Sequence, residues 1–405
     1  MTEERKAPAI RFKEFSGDAW KKRKLEEVAD FAKGKGYSKG DLEMSGTPIV
    51  LYGRLYTNYE TIIDDVDTYV TMKEQSVLSE GNEIIVPSSG ESSEEISRAS
   101  VVAKKGVILG GDLNIIRLNG KFSSVFVAIS LSNGSQQKEL SKRAQGKSVV
   151  HLHNSDLKEV NLFYPTPPEQ RAIGSFFQEL DQLITLQQRK LEKSRRIKKA
   201  MLQKMFPENK QTVPAIRFKE FSDDVWKKRK LGDLGSVEMC KRIFKEETSE
   251  DFEIPFFKIG TFGGKADTYI TRKKFEEYKA KYPYPNKGDL LISASGSIGR
   301  VVEYNGQEEY YQDSNIVWLN HSGKIENSFL KQFYSIVTWS GIEGTTIKRL
   351  YNKNILETKI SLPTPPEQRA IGSFFQDLDR FIALQQRRLD KLQNMKKALL
   401  EQMMM

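Results

Sequence analysis

One cysteine, three histidines and no long apolar run are the scarcities that bound this 405-residue chain. A single Cys240 excludes an intrachain disulfide and fits a reducing compartment, where a buried, inert thiol is expected. No stretch approaches the ~18 apolar residues of a membrane span, and the opening MTEERKAPAIRF lacks the apolar core of a signal peptide. A soluble, cytoplasmic protein without membrane contact is therefore expected.

Catalytic signatures are missing too. There is no NPPY-type methyltransferase motif and no glycine-rich cofactor loop. Ser141 to Ser148 (SKRAQGKS) comes close to a phosphate-binding loop, but Ser141 stands where the first glycine is needed. Glu277-Tyr278-Lys279 resembles the tail of a nuclease motif without its upstream Pro-Asp pair, and Ser295-Gly296-Ser297 has no partnership with His321. His151 and His153 alternate as strand ligands would, yet the same place in the second half of the chain reads Arg349-Leu350-Tyr351. Hydrogen bonding or phosphate contact explains both copies, whereas a metal explains only one. No catalytic residue and no metal site are expected.

What is present is duplication. Pro8 to Leu25 reads PAIRFKEFSGDAWKKRKL and Pro214 to Leu231 reads PAIRFKEFSDDVWKKRKL, while PTPPEQRAIGSFFQ opens both Pro165 to Leu191 and Pro363 to Leu389. The first pair is offset by 206 residues and the second by 198, so the first interior is eight residues longer. The frames are nearly identical and the interiors are not. Two different inserts sit in two copies of one mount.

Each PTPPEQR segment has the marks of a helix start: prolines, then a glutamate at the positive end of the dipole. A 3,4 spacing follows through Ile173, Phe176, Leu180, Leu183, Gln187, Lys190, Ser194, Ile197 and Met201. The second copy repeats it through Ile371, Phe374, Leu378, Phe381, Gln385, Arg388, Leu392, Met395 and Leu399. Each predicts a helix of ~38 residues, about 57 Å long, too narrowly apolar to stand alone. Antiparallel packing of the two avoids a long return connection. Gln187, Lys190, Gln385 and Arg388 in the seam either fix register or mark a place where the helices splay. Glu169, Gln170 and Arg171 recur as Glu367, Gln368 and Arg369; since core packing hardly requires their identity, they predict a surface where two copies of one partner dock.

The expected fold is α+β: two similar mixed α/β globular domains held apart by two long antiparallel coiled-coil helices. The predicted division is 1–163 and 213–361 for the domains, 164–206 and 362–405 for the helices, and 207–212 for a polar linker. Within the inserts, PFFKIG, LLISAS, RVVEY and NIVWL read as strands and Phe329 to Trp339 as helix. TPIVLYGRLYT answers IPFFKIGTFGG, EIIVPSSG answers DLLISASG, and DLNIIRL answers DSNIVWL.

A net charge of +10 and a pI near 9.2 suit a polyanionic partner. Arg189 to Lys204 holds eight basic residues against one acidic, and WKKRK occurs twice. Both are either solvated faces or phosphate contacts. Glycine- and serine-rich loops after short strands let backbone and short hydroxyls approach a polar surface, with nearby Arg, Lys, Gln and Asn for base edges. In the second insert these are Lys258, Thr261, Lys265, Ser293, Ser295, Ser297, Arg300, Gln312, Asn315, Lys348 and Arg349. In the first they are Tyr52, Arg54, Tyr56, Ser88, Ser89 and Lys147, with Asn58, Ser92 and Ser148 nearby.

The duplicated PTPPEQRAIGSFF and PAIRFKEF, together with KIGTFGG, DLLISASGSIG, QDSNIVWL and GTTIKRLYNKN in the second insert, resemble the specificity subunit of a Type I restriction-modification system. The likeness covers essentially the whole chain. It implies a non-catalytic, DNA-binding protein whose two target-recognition domains each read one half of a bipartite, asymmetric site, with the repeated helices setting the spacing. It further implies two methyltransferase subunits and restriction subunits as partners, with S-adenosylmethionine, ATP and Mg bound by them and no cofactor bound here. The first insert departs from the pattern: SSGESSEEI replaces SASGSIGRV, and Glu91, Glu94 and Glu95 could accept from a cytosine amino group. The competing reading is a non-catalytic coiled-coil scaffold that binds protein ligands at both ends.

Overall fold

The computed structural model describes residues 7–93, 95–146, 149–208, 211–339 and 349–404. Both PTPPEQR segments open helices, because consecutive prolines supply helical φ where no N–H is needed. The first long helix is Pro167–Lys204 and the second is Pro365–Met403, of 38 and 39 residues.

The chain divides into two compact units, residues 1–189 with 387–405, and residues 190–386. Each unit combines one globular domain with parts of both long helices. In the first unit Lys396 pairs with Asp181, and Phe177 and Leu400 line one cavity. In the second, Lys198 pairs with Asp379 while Arg195 donates to Gln386 at 2.8 Å. Rising numbers on one helix meet falling numbers on the other, so the helices are antiparallel within each unit.

The seam differs from expectation at alternate seats. Ile173, Phe177, Leu180, Ile184, Gln187, Leu191 and Ser194 are buried in the first helix, and Ile371, Phe375, Gln385 and Leu389 in the second. The sequence pattern put Phe176, Leu183 and Phe374 there, each one residue early, and also Phe381, which is exposed. Lys190 and Arg388, expected in the seam, are exposed. Adjacent apolar pairs such as Phe176-Phe177 and Leu183-Ile184 satisfy two registers equally, and only the packing partner selects between them.

Each globular domain is closed at a neck. Lys21–Lys24 pairs antiparallel with Asn161–Tyr164, and Lys227–Lys230 with Lys359–Leu362. The preceding Trp20 and Trp226 are buried, while most of the strands' basic side chains face solvent. Chain enters and leaves each domain side by side, which is why the interior tolerates wholesale change.

Inside, the first domain holds a five-stranded sheet in the order Ala29–Lys33, Leu113–Leu118, Glu83–Pro87, Ser100–Val102, Ile62–Ile63. The second holds a four-stranded sheet in the order Ser236–Glu238, Ile316–Asn320, Leu290–Ser293, Val301–Glu303. A three-stranded sheet, centred on Thr47–Val50 or Ile254–Phe257, stands beside each. One sequence match is corrected by the register. DLNIIRL against DSNIVWL sets Ile115 beside Ile316, but Ile115 faces Ile85 and the residue that faces Leu291 is Trp318, two places later.

The repeated motifs prove to hold each other. Arg11 Nε and Nη2 donate to the two carboxylate oxygens of Glu169, both at 2.7 Å, and Arg217 does the same to Glu367. Phe12 packs edge-on against Phe176, as Phe218 does against Phe374. Gln170 donates to Pro165 O and accepts from Ser123 N, the residue capping helix Ser124–Leu131; Gln368 donates to Pro363 O and accepts from Glu326 N, ahead of helix Asn327–Ile336. Glu169, Gln170, Glu367 and Gln368 are all buried. The expectation that they form a partner surface is thus corrected: their identity is demanded by internal pairing across 158 and 150 residues of sequence or against a domain helix. Only Arg171 and Arg369 of that set are exposed, and Arg369 pairs with Glu326 at 2.7 Å.

The helix ends are also locked. Phe206 packs on Trp226 and Phe329 in the second unit, and Met404, its counterpart in the repeat, accepts a hydrogen bond from Ser130 in the first. Gly372 lies where a Cβ would meet Ser328 Oγ at 2.0 Å, so this motif glycine permits a close helix crossing.

Candidate nucleic-acid interface

In the second unit four segments converge on one face beyond the strand ends. Gln312 Oε1 accepts from Ile259 N at 3.0 Å, and Arg300 Nη1 donates to Phe262 O at 2.8 Å. Ser295 Oγ donates to Asn315 Oδ1 at 2.8 Å, and Leu350 N to Ala294 O at 2.8 Å. These bonds gather the loops around Lys258–Lys265, Ser293–Arg300, Gln312–Asn315 and Arg349–Tyr351. Gly299, with φ +81 and Trp339 Nε1 2.9 Å from where a Cβ would stand, makes the turn that returns the serine loop to the sheet.

The predicted residues fall into two groups. Ser293 is buried, donating to Ser297 O and accepting from Arg300 N, and Thr261 closes its own turn on Lys258. Both build the loops: Ser293 is closed inside its turn, and Thr261 is half-buried with its hydroxyl bonded to Lys258. Lys258 is held by Asp267 at 2.9 Å. Lys265, Ser297 and Arg300 are exposed, while Arg349, Gln312, Ser295 and Asn315 are half-buried at the surface. Lys348 lies outside the described residues.

The first unit repeats the scaffold with other side chains. Leu152 N donates to Ser88 O at 3.0 Å, the counterpart of Leu350 to Ala294. Ser89 bridges His151 as Ser295 bridges Arg349. Asn114 Nδ2 donates to Pro87 O and Leu152 O, and Tyr56 Oη donates to Ser89 O at 2.7 Å. Burial pushes the Tyr56 phenol above its ordinary range, which keeps that donor protonated. Tyr52 is exposed and stands edge-on to Tyr56.

Two expectations fail in this unit. Arg54 is committed to Asp67 at 3.0 Å, Glu60 at 2.7 Å and Asp65 O at 3.0 Å, so its charge is neutralised internally. Ser88 is buried beneath the loop. Of the acidic trio, Glu91 is exposed and Glu95 lies 3.6 Å from Arg98, where both line a cavity of about 300 Å³ with Tyr59, Phe177 and Lys396. Glu94, Lys147 and Ser148 lie outside the described residues.

Sequence reading passed over Arg242, exposed and 2.8 Å from Asp313, and left Tyr351, His151 and His153 out of its set. The alignment of HLHN with RLYN was the available signal. Among the described residues no group of three or more His, Cys, Asp or Glu is placed to hold a metal, and no helix is long and apolar enough to cross a membrane.

Two similar domains, each presenting a polar loop face and each packed with parts of both long helices, define a protein built from one duplicated recognition unit. The Type I restriction modification DNA specificity domain matches twice, over residues 17–194 and 223–394, and the chain belongs to that family. It is 52% identical over 163 residues to a Haemophilus influenzae protein provisionally named type I restriction enzyme specificity subunit S.HindORF215P, a match spanning 40% of this chain and 42% of that one. It is 21% identical to the MjaVIII specificity subunit of Methanocaldococcus jannaschii across 96% of this chain and 94% of the relative. The fold is similar to the crystal structure of a Type I S subunit from M. genitalium, with TM-score 0.63, 17% identity and coverage of 98% and 99%. A chain from a structure of the type I R-M system gives TM-score 0.57 at 16% identity, covering 94% and 96%.

Proposed function

We propose that each unit recognises one half of a bipartite, asymmetric double-stranded DNA site, and that the chain brings two methyltransferase subunits and, in the full complex, restriction subunits to that site. The chain catalyses nothing itself. S-adenosylmethionine, ATP and Mg belong to the partner subunits. One observation carries the reading: the same hydrogen-bonded loop scaffold occurs in both units while the side chains it presents differ, as two readers of different sequences require.

The partner surface lies on the long helices. Leu183, Leu186 and Met395 in the first unit are exposed, and their repeat counterparts Phe381, Leu384 and Ile197 are exposed in the second. An apolar trio at matching positions in each unit suits two copies of one partner, here the methyltransferase subunit, better than two different ones.

Modified-base sequencing of DNA from cells co-expressing this chain with its methyltransferase subunit tests the reading. Methyladenine in a two-part motif with an unread spacer, absent without this chain, is the expected result. With the methyltransferase shown to be active, no new motif would refute it.

A further inference from the structure

In each unit one short segment projects two side chains from the loop face. In the second these are Arg349 and Tyr351, flanking buried Leu350; in the first they are His151 and His153, flanking buried Leu152. The backbone is pinned identically, by Leu350 N to Ala294 O at 2.8 Å and Leu152 N to Ser88 O at 3.0 Å. Alternation along an extended segment puts the outer two residues on one side. They lean on each other in both cases: the Arg349 guanidinium lies 5.8 Å from the Tyr351 ring centre, and the His151 and His153 rings stack at 6.3 Å with planes 2° apart.

We infer that this two-residue prong is the specificity-determining element of each unit, and that its first residue sets the base preferred at one position of each half-site. The inference rests on the proposed reading of DNA by both units. The chemistry differs in a defined way. Among the described residues the guanidinium of Arg349 donates one long hydrogen bond, to Ser314 O at 3.4 Å, and lies beside the Tyr351 ring, an arrangement that can offer its fork to the paired acceptors O6 and N7 of a guanine. His151 Nδ1 stands 3.5 Å from Ser89 Oγ, so Nε2 is the nitrogen left to a ligand and a single contact replaces the fork. The second half-site therefore holds a guanine at its position strongly, and the first holds its base more weakly.

The experiment is modified-base sequencing with the full chain and its methyltransferase, for wild type, Arg349→Lys, Arg349→His and His151→Arg. Lysine keeps the charge and loses the fork. Arg349→Lys and Arg349→His are expected to relax one position of one half-site by about 10- to 100-fold while every other position holds. His151→Arg is expected to sharpen one position of the other half-site toward guanine. The intact half-site in each variant reports a folded protein. A wild-type motif that Arg349→Lys and His151→Arg leave unchanged, or that they weaken evenly at all sites as a phosphate contact would, overturns the prong alone. Absence of any two-part motif with wild type overturns the functional reading and the prong with it.

Discussion

Replacing Glu367 by leucine removes the carboxylate that holds Arg217 while leaving the guanidinium in place. The two side chains are 0% and 8% exposed, and both bonds are 2.7 Å. Glu367 has no water to fall back on, and Arg217 has little. Breaking such a pair from one side costs about 3–5 kcal/mol, because the surviving charge loses its counter-ion and keeps only the Ser222 and Asp224 carbonyls as acceptors. Replacing both partners, as Arg217→Met with Glu367→Leu, removes the stranded charge and is expected to recover most of that loss. Urea titration of the full chain reads the difference through tryptophan fluorescence, since Trp226, Trp318 and Trp339 lie in the second unit and Trp20 alone in the first. At a slope of roughly 2 kcal/mol per M, the single substitution lowers the midpoint of that unit by roughly 2 M. A drop below about 0.5 M for the single variant, or a double variant as unstable as the single, would refute the buried-pair account of why these motifs recur.

Phe375→Ala, at a fully buried seam position, should cost about 3–5 kcal/mol in chemical denaturation, whereas Phe381→Ala, 49% exposed, should leave stability within about 0.5 kcal/mol and instead weaken methyltransferase binding in pull-down. Equal destabilisation by both would restore the seam first read from sequence. Gly372→Ala should destabilise because Ser328 Cβ stands 2.6 Å from the new atom, while Gly174→Ala meets nothing nearer than Val125 at 3.4 Å and should be near neutral or stabilising. Thermal unfolding of the two variants separates them, and matching shifts would refute the crossing geometry. Cys240 is buried, and desolvation pushes its thiol up to about 12, so native protein should resist alkylation at pH 8 and react once unfolded in guanidinium. DNA affinity should fall steeply and linearly on a log–log plot against salt; a flat plot would favour a protein-ligand scaffold.

Glycine and serine runs after short strands marked where the chain turns, because backbone freedom at glycine is a local property. Which side chains those loops leave free was not legible. Arg54 looks the same in sequence whether it faces DNA or lies between Glu60 and Asp67, and Ser293 looks the same exposed or buried inside its own turn.

By itself the sequence determined the duplication, the two long helices and the mixed domains between the frames, for repeats, 3,4 spacing and alternation are written in residue order. The tertiary structure decided the seam register, the two-residue shift between Ile115 and Trp318, and the role of Glu169, Gln170, Glu367 and Gln368. Each of these depends on a partner distant in sequence, and a residue's chemistry does not say which distant group will meet it until the chain has packed.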